Sequence, residues 1–278
     1  MRTATVTARS MPEGERVISC LMVTLPAPER FGFFKRSLAA YCSQTHSEKE
    51  LVVVADGPPG SHDPLAAHIA RLGRDDVRFV PLSEDLSLGA LRNRSTAAAR
   101  GDLLCQWDDD DLHHPRRLEE QLKKLRDDDA RCVYLEDVMQ YDTRTRTLVW
   151  TNWRATEARG HPGTLLCLRE AQPRYPETGT EGAMSHDLVV CKMLQEQPGF
   201  SVLAQKPHLF VYVGHGANTY PDEHFAMLSG KLAISRGLLQ RREAALREGL
   251  APFDFGPGDV VVQGSNGRAF TLTAMQSS

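Results

Sequence analysis

The run Asp108-Asp109-Asp110-Asp111 arrives straight after the apolar stretch Leu103-Leu104-Cys105 and Trp107, and is followed by Leu112-His113-His114-Pro115. Four adjacent carboxylates repel one another, so a folded chain keeps them together at a strand end chiefly where a cation or a set of donors offsets the charge. Oxygen ligands of this kind suit a hard divalent ion such as Mg²⁺ or Mn²⁺, which would be shared with a phosphate group. The competing reading is a solvated acidic turn, with Asp111 capping a helix that begins near Pro115.

The elements that must position this run follow an alternating order. Val17-Leu25, Glu50-Asp56, Val77-Pro81 and Leu103-Trp107 are short and apolar, as strands buried on both faces should be. Helical patterns at about Phe31-Ser43, Pro64-Gly73 and Leu88-Arg100 lie between them, which predicts an α/β fold with crossover connections. Ligands of open α/β sheets gather at the carboxyl ends of the strands, and Thr24, Asp56 and the acidic run all fall at such ends. Further on, Cys132-Asp142 and Thr147-Trp153 read as a β-hairpin around Asp142-Thr143-Arg144. Then come Gly163-Leu168, a helix from about Ser185 to Glu196 and a strand Leu209-Val213. A single long helix from about Asp222 to Glu248 is expected next, leading to strands at Asp259-Gln263 and Arg268-Thr273.

Taken in order, the strand ending in Thr24, the helix ending in Gln44-Thr45, the strand ending in Asp56-Gly57, the Arg92-Asn93 helix and the acidic run resemble the family 2 glycosyltransferases with the GT-A fold. The resemblance covers roughly Val17 to Leu118 and continues more loosely to about His224. It implies a Rossmann-like, mostly parallel central sheet flanked by helices, with a smaller C-terminal helical and β extension. The implied organisation is a tail at 1–15, a catalytic domain at 16–220 and an extension at 221–278. Within the domain, 16–118 would bind the nucleotide and 119–220 the acceptor.

Transfer from a nucleotide sugar must stabilise the charge developing on the diphosphate, usually through a metal ion. The resemblance assigns that task to Asp108 and Asp110, with Asp110 the direct ligand and Asp108 binding through water or holding the ribose; Asp109 stands beside them at the nucleotide. It places Asp56 and Arg92 against the base, with Thr24 and Asn93 nearby. Asp56 is also open to a second role, ordering the Asp-Gly-Pro turn with its own side chain. The acceptor hydroxyl needs a base within hydrogen-bond reach. Family members place it in an acidic pair at a helix start, which here reads His186-Asp187. Asp187 is the expected base, with His186 or Glu181 as substitutes, and a dry pocket would raise its pKa. The segment Gly214-His215-Gly216 resembles a loop that supplies an imidazole to the metal or a diphosphate contact, the glycines permitting close approach.

The expected activity is therefore a metal-dependent, inverting transfer of a sugar, most readily from a UDP-sugar, onto a hydroxyl of a glycan, lipid-linked sugar, natural product or protein. The alternatives are a silent GT-A domain that binds glycan or a partner, or a sugar nucleotidyltransferase. Leu25-Pro26-Ala27-Pro28-Glu29-Arg30 matches the Gly-rich phosphate loop of the latter poorly. With 278 residues and a net charge of −3, the chain has room for one large domain and gives no sign of a nucleic-acid partner. The six cysteines are scattered outside metal-type spacings, as reduced core thiols are, which points to the cytoplasm. No apolar run is long enough to span a bilayer, and Met1 to Glu15, read as a disordered tail, lacks a signal-peptide core. The leucine and arginine pattern after Asp222 suits core packing, a homodimer contact or a peripheral membrane surface.

Overall fold

The computed structural model describes residues 16–273, so the expected tail lies outside the described residues. Strands and helices alternate through β1 (Ile18–Thr24), α1 (Phe31–Cys42), β2 (Lys49–Asp56), α2 (Asp63–Leu72), β3 (Val77–Leu82), α3 (Leu88–Ala98) and β4 (Leu103–Gln106). Next come β5 (Leu112–His113), α4 (Arg117–Asp127), β6 (Cys132–Leu135), β7 (Asp137–Asp142), β8 (Thr147–Asn152), β9 (Leu166–Leu168), α5 (His186–Gln195), β10 (Phe200–Leu203) and β11 (Phe210–Gly214). The chain closes with α6 (Asp222–Leu232), α7 (Arg236–Arg241), α8 (Glu243–Leu250), β12 (Val260–Gly264) and β13 (Gly267–Leu272).

The central sheet has the order β10-β6-β9-β4-β1-β2-β3 and is parallel except at β9, which runs antiparallel to both neighbours. Every residue of β1 is buried because helices cover both faces, and this is why its sequence is mostly apolar, broken only by Ser19 and the terminal Thr24. From α1, Phe34, Leu38 and Tyr41 point inward at helical spacing. Ser87 caps α3 by accepting from the Ala90 amide at 3.2 Å, so the helix starts where Arg92 and Asn93 fall in its second turn. Gly89 is required there, since a Cβ would collide with the Pro176 carbonyl.

A second, mixed sheet of order β13-β12-β8-β7-β11-β5 stands beside the first. Here the sequence reading is corrected twice. The stretch expected as one strand from Cys132 divides at Glu136: Cys132–Leu135 belongs to the central sheet and Asp137–Asp142 to the second. Apolar residues resume at Val138 after only Glu136 and Asp137, so the stretch reads as one strand. Asp137 anchors the turn of direction, its buried carboxylate accepting from Trp150 Nε1, Asn152 Nδ2 and the Gln205 amide. The expected long helix is three helices. At Ala233 the chain turns extended and bridges Thr151, the Ile234 amide donates to Trp150, and Ser235 caps a new start. Leu239, Leu246 and Leu250 pack into the second sheet's core, so much of the apolar pattern after Asp222 serves core packing. Among the described residues no helix is long and apolar enough to cross a membrane.

Candidate active site

The acidic run leaves the end of β4 and lines a cavity of about 420 Å³ together with Thr24, Arg30, Arg92, His186 and Asp187. Each carboxylate has its own partners. Asp108 accepts from Arg92 Nη2 and, at 3.1 Å, from Gln106 Nε2. Asp109 accepts from Thr24 Oγ1 at 2.5 Å and from Arg30, whose Nη2 also reaches Asp110 at 3.1 Å. Asp110 further meets His215 Nε2 at 3.1 Å. Asp111 is buried and accepts from the Val213 amide at 2.9 Å, which ties β11 to the run. It caps no helix: α4 has no side-chain cap. The run is therefore a set of donor-satisfied carboxylates, as the charge argument requires, and not a solvated turn.

The backbone of the run is fixed from behind. Ser37 Oγ donates to the Asp108 carbonyl at 2.9 Å, and His113 Nε2 lies 3.2 Å from the same oxygen. His113 Nδ1 faces the buried Arg117 guanidinium at 2.5 Å, so Nδ1 accepts and Nε2–H donates to Asp108. Burial, followed by the Arg117 charge, pushes His113 well below the ordinary histidine range, which keeps it neutral for this task.

On the far side, α5 begins at His186, and Asp187 sits in its first turn, where the helix dipole favours a negative charge. Asp187 Oδ2 accepts from Gln106 Nε2 at 3.0 Å. Its Oδ1 lies 3.0 Å from His186 Nε2 and 3.7 Å from Arg92 Nε, with no hydrogen bond formed. Burial opposes ionisation here, but the Arg92 charge and then His186 outweigh it and hold Asp187 well below the usual carboxylate range. The expectation of a raised pKa is thus reversed, because the pocket around Asp187 is buried but cationic. Arg92 keeps Nε and Nη1 buried without partners, and both ring nitrogens of His186 are likewise unpartnered.

The family model for glycosyl transferase family 2 matches residues 23–169, more than half of the chain. The protein is a family 2 glycosyltransferase by descent. The uncharacterized glycosyltransferase MJ1057 of Methanocaldococcus jannaschii is 30% identical over 111 residues, which are 39% of this chain and 37% of that protein. The chain thus spans little more than a third of that relative's length. Among solved structures, S. aureus TarS 1–349 in complex with UDP-GlcNAc has a TM-score of 0.55 at 14% identity, over 85% of this chain and 67% of that one. The mannosyltransferase PcManGT from Pyrobaculum calidifontis, in complex with GDP-Man and Mn²⁺, has a TM-score of 0.52 at 17% identity, over 88% of this chain and 66% of that one. At such identities the likeness establishes the GT-A fold.

Within this family 2 site, the residues expected from the sequence divide into two groups. Thr24, Arg92, Asp108, Asp109, Asp110 and Asp187 all line the cavity. Asp56 and Asn93 lie outside its lining and order loops. Asp56 accepts from the Glu84 and Leu86 amides rather than organising its own turn. Asn93 makes three hydrogen bonds to Tyr175 and Glu177. Glu181 is exposed and outside the lining, while His186 is buried within it.

His215 reaches Asp110, and its ring stacks on Phe33 at 4.2 Å. The glycines beside it act differently from the expected close approach to an ion. A Cβ on Gly214 would press on the Phe225 ring at 3.1 Å, and Gly216 has φ +80, a left-handed conformation that favours glycine. The Ala217 amide donates to His215 Nδ1 at 3.3 Å, which leaves the proton on Nε2, facing Asp110.

Two functional side chains escaped the sequence reading. Arg30 follows the strand end by six residues, and nothing local signals that it folds back on Asp109 and Asp110. Gln106 sits in an apolar strand two residues before the run, and its polarity at that position was the one available clue. The second half of the cavity is formed by Trp153, His161, Tyr212, Tyr220, His224 and Leu228. Burial pushes His161 down to about 3, so that ring is neutral.

Proposed function

We propose that the chain transfers a sugar from a nucleoside-diphosphate sugar to an acceptor hydroxyl in one in-line, inverting displacement. The observation that carries this reading is the convergence, on the lining of one cavity, of Asp110, Arg92 and Asp187. Arg92 and Arg30 would bind the diphosphate and stabilise its charge as the anomeric bond breaks. The Asp187 carboxylate would take the proton of the acceptor hydroxyl as its oxygen attacks the anomeric carbon, the bonding electrons leaving with the diphosphate. Ionised Asp187 is available as a proton acceptor throughout neutral pH, and Gln106 presents it.

The residues also fit a divalent ion. Asp110 Oδ2 and His215 Nε2 lie 3.1 Å apart, so one carboxylate and one imidazole donor stand together. Among the described residues no three His, Cys, Asp or Glu side chains converge on such an ion, so the diphosphate itself must complete the shell. Asp110 and His215 would hold Mn²⁺ or Mg²⁺ with Asp108 adjacent. Bound there, the ion acts as a Lewis acid on the leaving diphosphate.

We read the donor as a UDP-sugar, in line with the TarS complex, and the acceptor as a hydroxyl of a glycan, lipid-linked sugar, natural product or protein. Six free thiols, five of them buried, suit a reducing compartment such as the cytoplasm. The test is UDP release from UDP-sugars with Mn²⁺ across a panel of glycan acceptors, comparing the wild type with Asp187→Asn. Acceptor-dependent release lost in the variant supports the reading. Nucleotide binding without product from any acceptor would favour a silent binding domain.

A further inference from the structure

The buried amide of Gln106 stands between the two carboxylates that the proposed reaction uses. Its Nε2 donates to Asp108 Oδ2 at 3.1 Å and to Asp187 Oδ2 at 3.0 Å. A side-chain NH₂ has two hydrogens, so both are engaged. Gln106 is buried and outside the cavity lining, and therefore acts on its neighbours and not on a substrate.

Facing it is an ion pair that has not closed. Arg92 Nε and Nη1 are buried and unpartnered, and Asp187 Oδ1, also unpartnered, stops 3.7 Å from Nε. A guanidinium and a carboxylate buried together gain most from a two-point contact. Closure would draw the Asp187 carboxylate away from its present place in the cavity lining. The other oxygen of Asp187 is held by Gln106, which is itself braced. Its carbonyl accepts from Arg117 Nη2 at 3.1 Å, and Arg117 is fixed by Gln121 Oε1 at 3.0 Å and by His113.

Building on the reading of Asp187 as proton acceptor, we propose that Gln106 is a positioning residue that keeps Asp187 from closing on Arg92 and so holds its carboxylate in place in the cavity lining for the acceptor hydroxyl. The position matters because a base displaced by about 1 Å from its productive geometry loses on the order of 10²-fold in rate. Asp108 keeps its contact with Arg92 whatever occupies position 106, so donor binding is the smaller casualty.

Gln106→Met keeps the volume and removes both donors; Gln106→Glu keeps the shape, cannot donate when ionised, and serves if the Met variant does not fold. The first readout needs no turnover. In crystal structures of wild type and variant, Asp187 Oδ1 is expected to reach hydrogen-bond distance of Arg92 Nε in the variant only, and an unmoved Asp187 overturns the proposal. The second is kinetic, with UDP-GlcNAc and UDP-glucose as donor probes and Mn²⁺ present. The variant should lose about 10-fold or more in kcat with donor KM within about threefold, and Gln106→Met should add little to Asp187→Asn. A kcat within about twofold of wild type, or a loss that multiplies fully with that of Asp187→Asn, contradicts it. An Asp187→Asn variant as active as wild type would remove the reading of Asp187 itself, while the crystallographic comparison would still decide what Gln106 does.

Discussion

The two walls of the cavity are built on different principles. One, from β1, β4 and α3, carries Thr24, Arg30, Arg92 and Asp108 to Asp111, a network in which most carboxylates already have cationic or N–H partners. The other, from the second sheet and α6, carries Trp153, His161, Tyr212 and Leu228, whose rings pack edge to face and whose imidazole is neutral. On the function proposed above, the difference teaches where each part of the reaction is governed. A preorganised ionic wall answers to charge, which every nucleoside diphosphate shares. An aromatic and apolar wall answers to shape, which differs from acceptor to acceptor.

That contrast is easiest to break at its catalytic end. Asp187→Asn should lower kcat about 10²- to 10⁴-fold with nucleotide affinity retained, measured by initial rates and by UDP titration. Retained turnover would move the proton to another group, His186 being the buried neighbour. Asp110→Asn should cost roughly 10²-fold in kcat/KM and also remove the metal dependence of nucleotide binding. If affinity for UDP were unchanged with and without Mn²⁺, the ionic wall would not be the diphosphate's.

A pH profile sharpens the same contrast. Since Arg92 and His186 hold Asp187 down, its protonation cannot shape the wild-type rate between roughly pH 5 and 7. Arg92→Met removes the foremost cause of the depression and leaves burial, which acts the other way, so an acid limb should enter that range. An Asp pKa lowered on folding contributes stability that is present above about pH 4 and lost as pH falls through the folded value. The variant should therefore also lose less stability than wild type on acidification below pH 4, as read by urea melts at each pH. The smallest effect is expected from the shape-reading wall: Trp153→Ala should raise acceptor KM about tenfold and leave donor KM and kcat within about twofold. Equal losses on the donor side would erase the distinction between the walls.

The ionic wall was largely legible in the sequence because its fold announces itself. Strands buried on both faces must be apolar throughout, and a polar residue at the end of one, such as Thr24 or the Asp108 run, is conspicuous against them. Arg92 and Asp187 were found through order along the chain. Asp56 and Asn93 were singled out by the same logic, yet their side chains order loops in this structure, since position at a strand end says nothing of which backbone amides lie within reach. The second wall was obscure for a physical reason as well. A strand that changes sheets at Glu136 resumes its apolar residues at Val138, and a helix interrupted at Ala233 keeps its leucine spacing, because both sides of each break face a core. Arg30 and Gln106 act through partners 79 and 81 residues distant, respectively, and such pairings appear only once the fold brings them together.

The account turns on whether the ionic wall binds a nucleoside diphosphate through a divalent ion. Calorimetric titration of UDP and GDP into the wild type and Asp110→Asn, each with and without Mn²⁺, tests this most directly. The prediction is tight binding of UDP that requires both the metal and Asp110, with GDP weaker. Binding indifferent to Mn²⁺ and to Asp110, or no binding of either nucleotide, would contradict it.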